Sequence, residues 1–303
     1  ARGWRQSPTD GHIPMVTVTR ISLLTMIGAL ALSPAVCPPF RVAWAQSATV
    51  RSSLFAQSGA RILERDFTSR DVSFLLLDVR SGIVLASRWD DAGRAIPMGS
   101  LVKPFTALAY GEEHQFRYPT LVCLGIAGGC WLPRGHGEIG IASAIADSCN
   151  SYFRMLTASM TSADVVPATG RFGLDPPAPQ LSGPELIGIG NRWRISPLHM
   201  AHAYLELNRR REQPGVREVV EGLAQSARRG TGSEVDRALP HSSALVKTGT
   251  AACTHHNHAP GDGFVVALVP AERPEVLLMV RVHGVPGARA ALTAGRMLRR
   301  IEE

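Results

Sequence analysis

The apolar positions along the chain fall into blocks of two different periods. From Val72 to Ser87 the text VSFLLLDVRSGIVLAS holds two apolar runs parted by Arg80, Ser81 and Gly82, which predicts a β-hairpin with a glycine turn. Ahead of it, Gln46 to about Arg70 predicts an amphipathic helix, with Leu54, Phe55, Ile62 and Leu63 at roughly helical spacing. A helical pattern runs from Ser100 to Tyr110 and again over 139–160. Between them Leu121 to Gly140, rich in glycine, proline and cysteine, reads as loop, as does the turn-rich stretch 167–193. SPLHMAHAYLELNRR then offers a serine N-cap and a proline at the first helical position, and 216–229 predicts a further helix. The chain closes with three strand-like runs, SALVKTGTAA, GFVVALVP and EVLLMVRVHG, and a helix from Ala288 to the end. Hairpin, helical block, antiparallel strands and terminal helix together describe an α+β domain with helices set against a sheet.

At 303 residues and 45% hydrophobic content the chain can bury a substantial core. Its first 45 residues read differently from the rest. Met15 is followed by a lone Arg20, the apolar run ISLLTMIGALALSPAV, and AWA at 43–45, the pattern of a signal peptide over 15–45 with 1–14 as upstream or mis-called sequence. Pro34 breaks the run, which is short for a membrane span, although an uncleaved signal would leave the protein membrane-associated. Residues 46–303 are then a single exported domain, periplasmic or otherwise extracytoplasmic. In such a compartment disulfides persist, and Cys123 with Cys130 could close a small loop. The whole-chain charge of +7 falls to +4 over 46–303, a mild excess that suits an anionic cell-wall setting and not a nucleic-acid footprint.

The charge inventory also points to the chemistry. Of 32 Lys+Arg residues only Lys103 and Lys247 are lysine. Arginine holds its proton in proteins, whereas a buried lysine can be pushed neutral and act as a base. Lys103 follows Ser100 by three residues in GSLVKPF, on the same helical face and at a helix start whose N–H groups suit a developing oxyanion. Pro104 removes the N–H that would bond the carbonyl of Ser100 and loosens that first turn. In DSCNSYF, Ser148 and Asn150 stand two apart and can share one cleft if the chain turns there. In VKTGT, Lys247 and Thr248 precede Gly249 in an apolar strand that could pair with an extended peptide. Each pattern alone also fits ordinary structure: a helix start, a polar helix face and a strand end with a bulge.

Taken in order, S-x-x-K, S-x-N and K-T-G form the set found in penicillin-binding proteins and class A β-lactamases. The sequence resembles the transpeptidase domain of penicillin-binding proteins over essentially Phe74 to Arg300. LLLDVRSGIVLA looks like that family's opening hairpin and MGSLVKPF like its nucleophile segment. CWLPRGHGEIGIASAIADSCNSYF is similar to the approach to the second motif, IGIGNRWRISPLHMAHAYLELN to the helix that follows, and GTG at 230–232 with VKTGTAA to the run into the third. The resemblance implies a β-lactamase/transpeptidase-like fold, an antiparallel sheet flanked by helices with an all-helical subdomain. It implies that Ser100 is acylated by a D-alanyl-D-alanine stem peptide of peptidoglycan or by a β-lactam, with Lys103 as base. Ser148 would shuttle the proton, Asn150 would bind the substrate amide, and Lys247 and Thr248, with Gly249 beside them, would hold the terminal carboxylate. The backbone N–H groups of Ser100 and Thr250 would form the oxyanion hole.

No cofactor is implied. The chain is expected to be a catalytic module without a glycosyltransferase segment, so a partner glycosyltransferase is expected. Val246 stands where many members place a glycine. Cys253, His255, His256 and His258 crowd the loop after the third motif; the domain needs no metal, but such spacing could bind zinc or copper beside the plainer reading of a polar loop. A disulfide from Cys149 to Cys253 would span the cleft. The rival within the fold is a β-lactamase, yet Tyr204 falls where a class A enzyme carries its glutamate, despite the nearby Glu206-Leu207-Asn208. A penicillin sensor or wall-bound scaffold that does not turn over is the alternative of another class.

Overall fold

The computed structural model describes residues 57–254 and 261–303. The expected signal peptide, the first part of the N-terminal helix with Leu54 and Phe55, and His255, His256 and His258 lie outside the described residues. Among the described residues, no helix is long and apolar enough to cross a membrane.

A five-stranded antiparallel sheet forms the centre, in the order β2-β1-β9-β8-β7. Its strands are β1 (Val72–Asp78), β2 (Val84–Arg88), β7 (Leu245–Ala251), β8 (Asp262–Val269) and β9 (Val276–Val282). The β1–β2 hairpin and the three C-terminal runs are the elements expected. Their apolar text is continuous because both faces are covered. Phe74, Leu76, Val265, Ala267, Leu278 and Val280 face one core, and Leu75, Leu77, Val266, Leu268, Leu277 and Met279 face the other. The first core is closed by α9 (Gly287–Glu302), α8 (Ser233–Ala238) and helix α1 over 57–66, which brings Ala60 and Leu63 beside Leu298 and Ile301. The second is closed by the helical block: α2 (Lys103–Glu113), α3 (Ile141–Ala146), α4 (Asn150–Leu156), α5 (Ser162–Phe172), α6 (Pro197–Arg209) and α7 (Val216–Arg229). Fold class is therefore α+β, a sheet between two helical layers. Two-stranded pieces complete it: β3 (Ile96–Pro97) with β6 (Arg194–Ile195), and β4 (Leu121–Cys123) with β5 (Gly137–Ile139).

Several local expectations are corrected. The glycine-rich stretch from Leu121 is a small hairpin, β4–β5, around a 3-10 turn at Gly125–Gly128. The helix expected over 139–160 divides into α3 and α4, because the chain turns at Ser148, whose φ is +51°. Residues 162–172 are helix although Pro167 lies within them. The Asp164 carboxylate accepts from the Thr161 N–H at 2.7 Å and from its hydroxyl at 2.9 Å, which fixes the helix start, while Pro167 deletes only one later N–H donor. All four described cysteines are free, so neither the Cys123–Cys130 nor the Cys149–Cys253 disulfide forms. Helix α6 begins as expected, with Ser196 Oγ accepting from the His199 N–H at 3.0 Å.

Tyr204 of α6 links the helical block to the nucleophile segment. Wholly buried, it packs edge-on against Phe105, with ring centroids 5.4 Å apart, and donates its hydroxyl to the Leu101 carbonyl at 2.9 Å. Burial without charge holds the phenol well above its ordinary pKa, so it remains a donor. We predict that Tyr204→Phe lowers stability by about 1–2 kcal/mol by stripping that carbonyl of its partner. The midpoint of urea unfolding measures this, and an unchanged midpoint would show that the hydroxyl does not hold the segment.

Candidate active site

Three backbones converge just ahead of Ser100. Gly99 has φ +57°, and a Cβ on it would lie 2.1 Å from the Thr250 carbonyl oxygen of β7. A Cβ on Gly188 would lie 2.1 Å from the Gly99 carbonyl oxygen, and one on Gly249 would lie 2.5 Å from that of Met98. Glycine at these positions lets the sheet edge and the 188 loop close on the nucleophile segment. Ser100 itself sits in a 3-10 turn, Gly99–Val102, where the Lys103 N–H bonds the Ser100 carbonyl. Pro104, at the start of α2, has no N–H for that carbonyl, so the tight turn takes the place of an α-helical one.

Lys103 and Lys247 are both fully buried and meet on one hydroxyl. Lys103 Nζ lies 2.8 Å from the Ser148 carbonyl, 2.7 Å from Asn150 Oδ1 and 3.3 Å from Ser148 Oγ. Lys247 Nζ donates to Ser148 Oγ at 3.0 Å and to the Thr248 carbonyl at 2.8 Å. Neither lysine forms an ion pair among the described residues, so each ammonium would be buried uncompensated. Burial lowers Lys103 to about 7, and burial together with Lys103 takes Lys247 well below its ordinary value. The hydrogen-bond inventory fits a neutral Lys103: two N–H groups serve the carbonyl and the amide oxygen, leaving the lone pair for a hydroxyl proton.

The left-handed turn at Ser148 produces this meeting. Cys149 then returns to extended backbone and α4 starts at Asn150, so Ser148 and Asn150 address the same lysine from either side of the break. Ser100, by contrast, is not bonded to Lys103. Its hydroxyl has no protein partner among the described residues and opens into a cleft of about 800 Å³. Ser148, Asn150, Thr231, Thr248, Thr250 and Trp131 share the cleft lining. Lys247 lies beneath the wall and not on it. Thr248 Oγ1 donates to Thr231 Oγ1 at 2.6 Å, so two hydroxyls stand together there. Thr231, in the GTG stretch, and Trp131 reach the cleft only because their loops fold over it, a placement that no motif spacing marks.

β7 is an edge strand. The Thr248 carbonyl bonds a lysine and so faces outward from β8, and the two-residue period puts the Thr250 N–H on the same open edge, beside the Ser100 turn. The Thr250 hydroxyl is already engaged, accepting from the Gly287 N–H at 2.9 Å. The arrangement can thus offer a free hydroxyl, a nearby neutral amine, a relay hydroxyl, and an outward N–H where negative charge would develop. Of the metal candidates in the third-motif loop, Cys253 alone is described; its thiol lies 3.8 Å from His283 Nδ1.

Residues 72–301 match the family model of the penicillin binding protein transpeptidase domain, and the chain belongs to that family. No curated protein sequence matches it. Among solved structures it is similar to the transpeptidase domain of Burkholderia pseudomallei penicillin-binding protein 3, at 19% identity and TM-score 0.62, over 84% of this chain and 92% of that one. It is also similar to Pseudomonas aeruginosa PBP2, at 17% identity and TM-score 0.62, over 84% of this chain and 73% of that one. Helicobacter pylori PBP2, solved in complex with MreC, matches at 14% identity and TM-score 0.66, over 82% of this chain and 62% of that one.

Because the chain holds only two lysines, lysine-selective ¹³C labelling should give two side-chain signals. We predict that both titrate below the ordinary lysine range, Lys103 near 7, with Lys103→Arg assigning the pair. A signal titrating near the ordinary 10.4 would overturn the neutral-base geometry.

Proposed function

We propose that this protein is a serine DD-transpeptidase, or a DD-carboxypeptidase, acting on D-Ala-D-Ala stem peptides of peptidoglycan outside the cytoplasmic membrane. The observation that carries the reading is the partner-free Ser100 hydroxyl at the cleft, one turn from a buried lysine pair joined by Ser148. Ser100 attacks the penultimate carbonyl and its proton passes to Lys103. The oxyanion is received by the N–H groups of Ser100 and Thr250. Ser148 returns the proton to the departing D-alanine, and Asn150, whose Oδ1 is held by Lys103, directs its amide N–H groups to the peptide. The terminal carboxylate meets the Thr248 and Thr231 hydroxyls, while Lys247 acts from beneath through charge and Ser148. Water or an acceptor amine then releases the acyl group, which is the difference between the two activities.

β-Lactams would acylate the same serine and act as inhibitors. The reading disfavours a β-lactamase because no aspartate, glutamate or histidine among the described residues lines the cleft to activate a hydrolytic water, and Tyr204 is sealed in the core. Crosslinking needs glycan strands, so a glycosyltransferase partner fits this role.

Incubated with a fluorescent penicillin, the full chain should gain one long-lived adduct that Ser100→Ala abolishes. Prompt release with drug hydrolysis would convert the reading to β-lactamase, and a folded chain that takes no label would overturn Ser100 as nucleophile. The acylation rate should rise with pH through about 7 and level off, since only the neutral Lys103 amine accepts the proton. Lys103→Arg, charged at every working pH, should lose roughly 10²- to 10⁴-fold in that rate.

A further inference from the structure

Behind the second motif, three thiols and an imidazole converge with no role in the mechanism above. Cys123 Sγ lies 3.5 Å from His136 Nδ1, Cys130 Sγ lies 3.6 Å from the same nitrogen, and Cys130 Sγ lies 3.7 Å from Cys149 Sγ. All four donor atoms fall within 4.8 Å of one another, and the three cysteines are buried. A tetrahedron with metal–sulfur bonds of about 2.3 Å and a metal–nitrogen bond of about 2.0–2.1 Å has edges of about 3.8 Å between sulfurs and about 3.5–3.6 Å between sulfur and nitrogen. The three separations given above match those edges, and the remaining three lie within 4.8 Å. They are far too long for a disulfide, whose sulfurs sit at about 2.05 Å.

We propose that Cys123, Cys130, His136 and Cys149 bind one zinc ion in a closed Cys₃His site that fixes the wall of the cleft. The donors come from four places in the fold: the end of β4, the loop after its 3-10 turn, the residue before β5, and the break between α3 and α4. That loop is wound tightly enough to need glycine twice. A Cβ on Gly125 would lie 2.2 Å from the Pro133 carbonyl oxygen, and one on Gly135 would lie 2.0 Å from that of Cys123. Little apolar burial holds the loop otherwise, since Val122, Leu124, Ile126 and Trp131 are each at least half exposed. Cys123 Sγ also lies 3.6 Å from Ser151 Oγ, whose hydroxyl donates to the Gly128 carbonyl at 2.8 Å and so ties α4 to the same loop.

Soft thiolates with one imidazole in tetrahedral array select zinc over the hard cations. Binding releases three thiol protons, one from each cysteine, and leaves a closed site with no position for substrate. Its task is positional. Cys149 is the residue between Ser148 and Asn150, and Trp131, next to Cys130, donates its indole N–H to the Asp147 carbonyl at 3.1 Å while lining the cleft. One ion would therefore clamp both the S-x-N turn and the loop facing Ser100. Ligated thiolates would also resist oxidation in an oxidising compartment.

The test is the metal content of the full chain purified with zinc supplied. We expect one equivalent of zinc per chain that survives gel filtration, and on exchange with cobalt(II) the visible bands and thiolate charge-transfer absorption of a tetrahedral site. Cys130→Ser and His136→Ala should each cut zinc retention by at least about tenfold. Because those variants can fail to fold, the cobalt spectrum of the unaltered chain stands as the independent measurement. A folded chain that takes up neither ion, whether its thiols remain reactive or its mass is lighter by two hydrogens with Cys130 joined to Cys149, would overturn the site. Penicillin labelling is scored separately, so failure here leaves the Ser100 reading untouched.

Discussion

Two buried amines held to one hydroxyl without a carboxylate set the terms for the rest of the domain. A charge in that position has lost its water and gained no counterion, so the protein stabilises the neutral form by excluding solvent and not by supplying a base of lower intrinsic strength. Such a device works only if the surroundings are rigid. The Ser148 turn, α4 starting directly after it, and the 3-10 turn forced by Pro104 each fix a donor or acceptor around Lys103. Loss of any one would let water or a second partner reach the amine and restore its ordinary affinity for protons.

The cleft belongs to neither core alone. Its floor comes from the nucleophile segment on the helical side, and one wall is the exposed edge of β7 on the sheet side. Gly99, Gly188 and Gly249 let those parts touch through bare backbone, and Tyr204 ties the nucleophile turn back to α6. Rigidity at the junction is therefore bought with missing side chains on one flank and with a large buried ring on the other. Thr248 to Ala251 of β7 line the cleft beside that junction, so the strand meets the nucleophile segment and the cleft at once.

Most of the sheet was legible in the sequence because covered strands leave long apolar runs, and α6 was legible because Ser196 and Pro197 mark its start. Motif residues were legible through order and spacing, but their mutual geometry was not. Nothing in SCN announces that Ser148 adopts a left-handed conformation, and that single dihedral brings it to Lys103 and Lys247 together. Helix α5 was hidden by Pro167, since a lone proline looks like a boundary until the Thr161 and Asp164 contacts show where the helix begins. The cysteines misled for a different reason. Proximity along the chain pointed to Cys123 with Cys130, whereas the fold sets the His136 imidazole between those two and brings Cys130 against Cys149, a residue 19 positions away.

The burial of both lysines also shapes what the outside of the protein can undergo. Every fixed positive charge on its surface, apart from histidine and the chain terminus, is a guanidinium. Reagents and metabolites that modify primary amines, such as acylating esters, aldehydes or cyanate, would find no side chain to attack without first opening the core. The coat of the molecule is in that sense chemically quiet, and amine reactivity serves as a direct gauge of whether its interior has come apart.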